Sequence, residues 1–151
     1  MEKASDFSLP DTNNKPVTVS EFFGDQNVVL IFFPLAFSGV CTKELCSTRD
    51  NMKVYESLNA KVLAISVDSF FTLKAFKETN NLNFSLLSDF NKEVSKKYDT
   101  LYKDYFGMKG VSKRSVFVID KQGRIVYKEI LEDSGNIPQF DKVQEVLAGL
   151  D

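Results

Sequence analysis

One stretch of the sequence decides the fold: it runs from Asn27 to Glu44 and reads NVVLIFFPLAFSGVCTKE. Its first part, Asn27 to Phe33, is a continuous apolar run rich in β-branched residues, which is typical of a strand buried on both faces. Pro34 would end that strand, because proline cannot donate to a central ladder. The stretch therefore predicts a buried strand, a short loop and a helix whose N-terminus lies near Cys41.

Apolar spacing predicts a long helix after this strand. Residues that recur at intervals of three and four lie on one face of such a helix: Cys41, Leu45, Thr48, Met52, Tyr55 and Leu58. Lys61 to Val67 is a second buried run, and it completes a strand-helix-strand unit. A second helix is expected from Ser69 to about Asn80, with Ser69 as its cap.

The following segment is predicted to continue the alternation of strands and helices. Phe84 to Leu87 has the composition of a short strand. Asn91 to Tyr98 predicts a short helix with a cap from Asp89, because Val94 and Tyr98 stand one turn apart.

The last third predicts a hairpin and a helix. Arg114–Asp120 and Arg124–Leu131 are expected to pair, since Gly123 supplies the positive φ that a type I turn followed by a bulge requires. Pro138 would open the final helix. This order of elements predicts an α/β protein of thioredoxin-like fold, with a mixed central sheet flanked by helices and an N-terminal β-hairpin extension.

Length and composition indicate the number of domains and the compartment of the protein. The chain has 151 residues, of which 43% are hydrophobic and 26% charged, and this fits a single domain over residues 1–151 with a substantial core. The longest apolar run, Val28 to Phe37, falls well short of the roughly 20 residues that cross a bilayer. The charged N-terminus has no apolar segment behind it, so we expect no secretory signal and a cytoplasmic protein.

Charge and histidine content exclude several classes of function. A net charge of −2 and a pI near 5.3 argue against nucleic-acid binding, which concentrates Lys and Arg on one face. The absence of histidine removes Ser-His-Asp and Cys-His catalysis and imidazole metal sites. Two cysteines cannot form a Cys₄ zinc site, and in a cytosolic chain they are more often buried or redox-active than a structural disulfide. We expect no metal and no cofactor.

The position of Cys41 favours redox chemistry. Near a helix N-terminus, the dipole and unpaired N–H groups stabilise an anion, and this favours a thiolate. The alternative is a buried structural cysteine, since Cys41 shares its helical face with Leu45 and Met52. Ser38, three residues earlier, is close enough either to cap the helix or to place a hydroxyl beside the sulfur.

A motif resolves this choice by resemblance. Pro34-x-x-x-Ser38-x-x-Cys41-x-x-Glu44, directly after a Phe-rich strand, resembles the active-site motif of the peroxiredoxins. The similarity extends over essentially the whole chain, including Asp6–Leu9, Val17–Phe22 and Arg114–Asp120. The segment FFPLAF is most similar to the alkyl hydroperoxide reductase E and bacterioferritin-comigratory (Q-type) branches.

The resemblance implies a role for each motif residue. It makes Cys41 the peroxidatic cysteine and Arg114 the guanidinium that orients the peroxide and favours the thiolate. Ser38 stands where the family has Thr or Ser, and Pro34 would shield the sulfur from water. Glu44 would hold the arginine or close the hydrogen-bond network. Without the resemblance, Glu44 would be a solvated first-turn carboxylate and Arg114 a strand-edge charge.

Cys46 leaves two alternatives open. Its helical neighbours are polar, as expected for an incidental surface thiol: Thr42, Lys43, Arg49 and Asp50. In an intact helix its Cα lies roughly 8.5 Å from that of Cys41, beyond the ~7 Å limit for a disulfide, so the helix start would have to unwind. Bacterioferritin-comigratory relatives often carry a resolving cysteine at this spacing, whereas the E-type branch typically lacks it. The resemblance thus implies a Cys41–Cys46 disulfide without settling it.

The expected function is a thiol-dependent peroxidase that reduces hydrogen peroxide and organic hydroperoxides. Its expected partners are the hydroperoxide, an external thiol reductant such as a thioredoxin- or glutaredoxin-like protein, and a second copy in a homodimer, with neither nucleic acid nor membrane. The alternatives are a one-cysteine peroxidase with Cys46 as a bystander, and a peroxide-sensing redox relay. A thioredoxin-type oxidoreductase is disfavoured, because four residues separate Cys41 from Cys46 where that chemistry uses Cys-x-x-Cys.

Overall fold

A five-stranded mixed sheet forms the centre of the molecule in the computed structural model, which describes residues 2–150. In chain order the elements are β1 (Ser8–Pro10), β2 (Pro16–Thr18), β3 (Asn27–Phe32), α1 (Gly39–Asp50), α2 (Met52–Ser57), β4 (Ala60–Ser66), α3 (Phe70–Thr79), β5 (Ser85–Ser88), α4 (Glu93–Lys97), β6 (Ser115–Ile119), β7 (Ile125–Ile130) and α5 (Phe140–Ala148). A 3-10 helix, Val19–Phe22, lies between β2 and β3.

The strand order of the sheet brings distant parts of the chain to one edge. The order is β5-β4-β3-β6-β7. Strands β3, β4 and β5 are parallel, and β6 is antiparallel to both of its neighbours, β3 and β7. Phe32, at the end of β3, is paired with Ile65 of β4 and with Ser115 at the start of β6. The residues that follow β3 therefore lie beside those that precede β6.

Two apolar layers cover the sheet, as its buried central strands predict. One face, with Val29 and Ile31, packs against α1, α2, α3 and α5. The other, with Leu30 and Phe32, packs against α4, Tyr98 and residues of the N-terminal segment. The thioredoxin-like fold is confirmed, and β1 and β2 pair as the expected N-terminal hairpin.

The predicted turn and helices agree with the structure in most respects. Gly123 has a φ of 79° in the β6–β7 turn. Its N–H donates to the Asp120 carbonyl at 3.0 Å, and the Asp120 N–H donates to the Arg124 carbonyl at 2.9 Å, as the predicted turn with a bulge requires. The single long helix was wrong, because the chain breaks at Asn51, whose amide donates to the carbonyl of Ser47 at 2.9 Å. Such side-chain bonds compete with the helical ladder.

The final helix also differs from the prediction. It begins at Phe140, two residues after Pro138, because the Phe140 N–H bonds back to the Pro138 carbonyl at 3.0 Å and so forms a turn before the helix. Among residues 2–150, no helix has the length and apolar character needed to span a membrane.

Candidate active site

Cys41 lies in the first turn of α1 with its side chain fully buried. The strand β3 ends at Phe32, and six loop residues carry the chain to the helix start at Gly39. Ser38 occupies the N-cap position but gives no side-chain cap. The first N–H groups of α1 are therefore free of a side-chain acceptor, and they form a local positive end beside the sulfur.

Arg114 connects α1 to the segment that precedes β6. Only 1% of it is exposed, and its Nη2 lies 3.2 Å from the Cys41 Sγ. Its Nη1 donates to Glu44 Oε1 at 2.6 Å, and its Nε donates to the Ser134 carbonyl at 3.0 Å. Because Arg114 directly precedes β6, the pairing of β6 with β3 brings the guanidinium to the start of α1.

Glu44 is one helical turn after Cys41 and is completely buried. Burial raises its pKa from 4.5 to about 7, against the opposing charge and hydrogen bond of Arg114. Its Oε2 accepts no hydrogen bond from the described residues. The expectation of a solvated first-turn carboxylate, which the isolated residue would give, is therefore wrong.

The charges of this cluster also act on Arg114. Burial lowers the pKa of its guanidinium, but the charges and hydrogen bonds of Glu44 and Cys41 outweigh burial, and the net shift is upward. Arg114 therefore stays a cation in a site almost without solvent contact, where its charge acts on the sulfur with little screening.

Pro34 and Ser38 line the loop that precedes Cys41. Pro34 is buried and is the second residue after the end of β3. The Ser38 hydroxyl donates to the Leu35 carbonyl at 2.7 Å, so it neither caps α1 nor bonds the sulfur in this structure.

Asp68 is a site residue that the sequence reasoning missed. Its Oδ2 accepts from the Ala36 N–H at 2.7 Å and from the Ser66 hydroxyl at 2.6 Å. The next residue after Ala36, Phe37, adopts a φ of 67°, which is unfavourable for a side chain of this size. Asp68 is the second residue after the end of β4. A polar residue at the carboxyl end of a strand parallel to β3 was the signal in the sequence that could have identified it.

Cys46 is separated from Cys41 by the body of α1. It is half-buried, and its thiol donates to Asn80 Oδ1 at 3.7 Å, beside the end of α3. The Arg49 side chain also lies against Asn80, and its Nη1 donates to the Asn80 carbonyl at 2.6 Å. The expectation of an accessible surface thiol is thus corrected: Cys46 packs against a neighbouring helix. Both thiols are free.

Exposed phenylalanines surround this edge of the sheet. Phe37, Phe71 and Phe90 follow the carboxyl ends of β3, β4 and β5, and they are 52%, 72% and 62% exposed. Phe106 is 85% exposed and lines a cleft of about 460 Å³ that also includes Ser134, the residue whose carbonyl binds Arg114. These four rings therefore leave large apolar side chains in contact with solvent.

Comparison with known proteins agrees with this geometry. The model of the family described as AhpC/TSA matches residues 1–128. The chain is 38% identical over 129 residues to alkyl hydroperoxide reductase E of Mycobacterium tuberculosis, covering 84% of this chain and 82% of that protein. It is 37% identical over 128 residues to the peroxiredoxin bcp of Buchnera aphidicola, covering 81% of this chain and 78% of that protein.

Solved structures show the same likeness. The crystal structure of peroxidoxin BcpB from Mycobacterium tuberculosis matches with a TM-score of 0.89 at 30% identity, over 99% of this chain and 96% of that chain. AhpC of Enterococcus faecalis matches with a TM-score of 0.84 at 25% identity, over 97% and 91% of the two chains. The similarity to the E-type and bacterioferritin-comigratory branches is thus confirmed.

Proposed function

The chain belongs to the AhpC/TSA family of peroxiredoxins and is a thiol-dependent peroxidase, and we propose that Cys41 is the thiol that attacks the hydroperoxide. One observation carries this assignment: the guanidinium of Arg114 bridges the Cys41 sulfur and the Glu44 carboxylate at 3.2 and 2.6 Å. In a buried site, a fixed cation at this distance favours the thiolate, which is the nucleophilic form of cysteine.

The proposed reaction is a displacement at the O–O bond. The Cys41 thiolate attacks one oxygen, the O–O bond breaks, and the other oxygen leaves as alkoxide or hydroxide and takes a proton. The sulfur is oxidised by two electrons to a sulfenic acid, and the hydroperoxide is reduced to an alcohol or water. Negative charge moves from the sulfur to the leaving oxygen. Hydrogen-bond donors that stabilise the charge on that oxygen therefore accelerate the step.

Three groups could donate hydrogen bonds to the oxygens as this charge develops. Arg114 Nη2 already contacts the sulfur, and the N–H of Cys41 belongs to the uncapped first turn of α1. The Ser38 hydroxyl becomes a third donor if it leaves the Leu35 carbonyl when the peroxide binds. Pro34, buried at the base of the same loop, would keep water from the sulfur. Glu44 would hold Arg114 in place through their 2.6 Å ion pair.

Cys46 is proposed as the resolving cysteine. Its thiol would attack the sulfenic acid of Cys41, form the disulfide and release water. Both cysteines lie in α1, so the first turns must unwind before the sulfurs can meet. The absence of a side-chain cap at Ser38 supports this step, because a helix end without a cap lacks about 1 kcal/mol of stabilisation.

The proposed substrates are hydrogen peroxide and organic hydroperoxides, and the proposed reductant is an external thiol such as a thioredoxin- or glutaredoxin-like protein. Leu35, Ala36 and Phe37 in the active-site loop favour organic substrates. We propose a cytoplasmic protein that forms a homodimer, in which the exposed phenylalanines near the site would be covered. The match of residues 1–128 to one family model supports a single domain.

Intact mass after oxidation tests this function. The reduced protein receives one equivalent of hydroperoxide, is measured, and is then mapped by peptide. We expect complete oxidation of Cys41 and the loss of two hydrogens, which marks a Cys41–Cys46 disulfide. One added oxygen on Cys41 would support the one-cysteine peroxidase instead. A protein that leaves Cys41 reduced would refute the proposal.

Turnover separates the peroxidase from a redox relay. With excess hydroperoxide and a small dithiol, a peroxidase should reduce many equivalents at a steady rate. A relay that signals to a partner would be oxidised once and recycle slowly. Stoichiometric consumption that stops after one equivalent, despite the reductant, would favour the relay.

A further inference from the structure

The buried cluster at the start of α1 contains two acids and one base. Cys41 and Glu44 are fully buried, Arg114 is 1% exposed, and the guanidinium contacts both. With both acids ionised the cluster would carry a net charge of −1, which is costly to bury. With one proton shared between the acids, the cluster is neutral.

No other charge among the described residues compensates this excess. Among these residues, Arg114 is the one cation that forms an ion pair with Glu44, at 2.6 Å. Tyr102 faces the guanidinium, but its hydroxyl donates to the Leu131 carbonyl at 3.0 Å and burial raises its pKa, so it remains neutral. Lys113, the residue before Arg114, pairs at the surface with Glu132.

We propose that Cys41 and Glu44 share a single proton in the reduced enzyme, that it resides on Glu44 while the sulfur is a thiolate, and that Glu44 delivers it to the leaving oxygen. This inference rests on the proposed role of Cys41. Glu44 Oε2 is the atom available for the proton, because Oε1 is bonded to Arg114 and Oε2 has no partner among the described residues. The raised pKa of Glu44, about 7, agrees with a protonated carboxyl near neutral pH.

The proton balance gives this arrangement its advantage. Before reaction the cluster holds a thiolate, a carboxylic acid and a guanidinium, and its net charge is zero. The thiolate takes one oxygen together with the hydroperoxide's own proton and becomes sulfenic acid, while the leaving alkoxide takes the Glu44 proton and becomes an alcohol. The cluster then holds a sulfenic acid, a carboxylate and a guanidinium, and its net charge is again zero. No net charge is buried at either end of the step.

Glu44 lies within reach of that oxygen by helix geometry. Residues three apart on a helix have Cβ atoms about 5–6 Å from each other, so the carboxyl and the sulfur project from the same face of α1. Both groups also contact the same guanidinium, so we expect an oxygen bound between Arg114 Nη2 and Sγ to receive the proton from Oε2 directly or through one water.

Infrared difference spectroscopy tests where the proton lies. The experiment uses Cys46→Ser, so that oxidation by one equivalent of hydroperoxide stops at the sulfenic acid, and compares it with the same protein carrying Glu44→Gln. We expect a carboxylic-acid C=O band in the reduced protein near pH 7 that is lost on oxidation, and no such band with Glu44→Gln. Asp120→Asn, at the far end of the sheet, should retain it. If Cys41 is oxidised without loss of a carboxylic-acid band, this inference is overturned while the peroxidase function stands.

The kinetics of Glu44→Gln supply a second test, in which the thiolate fraction and the rate of peroxide reduction should change in opposite directions. Glutamine keeps an oxygen for Arg114 but carries no charge, so the thiolate fraction at a given pH should rise. The first peroxide reduction should nevertheless slow by at least about tenfold, because the proton donor is gone. If Glu44 only positions Arg114, thiolate fraction and rate would change in the same direction, and that outcome would refute proton delivery.

Discussion

The two cysteines of α1 occupy opposite environments only five positions apart. Cys41 is fully buried and contacts a guanidinium at 3.2 Å. Cys46 is half-buried, contacts the neutral amide oxygen of Asn80 at 3.7 Å and lies beyond the uncapped first turn. Cys41 therefore lies in a site that stabilises an anion, whereas Cys46 on the same helix makes only a neutral packing contact. Reactivity in this protein follows from the surroundings of a thiol, not from its residue type.

The largest expected effect comes from removing the sulfur at the buried position. Cys41→Ser should abolish peroxide turnover, because a serine hydroxyl is not ionised near neutral pH. The fold should persist, since serine is close in size and Arg114 can donate to its hydroxyl. Circular dichroism and a peroxide-consumption assay check both parts. Residual turnover above a few per cent would mean that Cys46 can itself act on peroxide, and the comparison between the two thiols would fail.

Removing the Arg114 guanidinium should reduce the difference in peroxide reactivity between Cys41 and Cys46. Arg114→Ala is expected to slow the first peroxide reduction by at least about tenfold, the scale of losing one strong transition-state donor. The variant should fold, because the raised pKa of Glu44 lets this buried carboxyl become neutral when its partner is absent. Stopped-flow measurement of the first oxidation gives the rate.

Two further variants control this experiment. Arg124→Ala removes a half-exposed arginine from the β6–β7 turn, paired with Asp120, and should leave the rate unchanged. Arg114→Lys keeps the charge but loses the fork that spans Cys41 and Glu44, so its rate should be intermediate. An Arg114→Ala protein that is folded and as fast as the parent would show that the guanidinium does not activate Cys41.

The sequence alone predicted the half of the site that is local in the chain. The run from Asn27 to Cys41 is enough to place a thiol at a helix start, because strand and helix periodicities change at Pro34. It could not show that Arg114 reaches Glu44, 70 residues away in sequence, since this requires β6 to lie antiparallel beside β3. Without the family resemblance, Glu44 would have been assigned to solvent and Arg114 to the edge of a strand.

Asp68 was missed for the same reason. Its contact with Ala36 spans 32 positions and depends on β4 being the other neighbour of β3. The break at Asn51 differs, because it is local: the amide bond to Ser47 replaces helical continuity, while apolar residues on both sides keep the helical spacing that indicated one helix.

A smaller effect is expected from the loop that holds Cys41 in its buried position. Asp68→Asn weakens the charged acceptor for the Ala36 N–H and the Ser66 hydroxyl, and the strained φ of Phe37 favours relaxation. The first peroxide reduction should slow by about fivefold, which corresponds to roughly 1 kcal/mol, the contribution of one hydrogen bond. Asp120→Asn, which weakens a comparable turn at the far end of the sheet, should have no effect on the rate. Equal rates for both variants and the parent would show that the loop needs no such restraint.

The smallest effect on the first step, and the most informative about the second, is expected from Cys46. Cys46→Ser should reduce the first equivalent of peroxide as fast as the parent, because Asn80 and not the reacting sulfur is its neighbour. Further peroxide should then over-oxidise Cys41 to the sulfinic acid, since no thiol is present to trap the sulfenic acid. Stopped-flow kinetics and intact mass separate the two phases.

Amide hydrogen exchange then tests whether Cys46 meets Cys41 by unwinding α1. In the oxidised parent, exchange should accelerate over residues 41–49, because a disulfide cannot form while both cysteines remain in an intact helix. Residues of β3 should keep their protection, since they lie in the buried centre of the sheet. Oxidised Cys46→Ser should show no acceleration in α1. If the parent also shows none and cycles with a small thiol as Cys46→Ser does, then Cys46 is a packing residue against α3, and the peroxidase works with one cysteine.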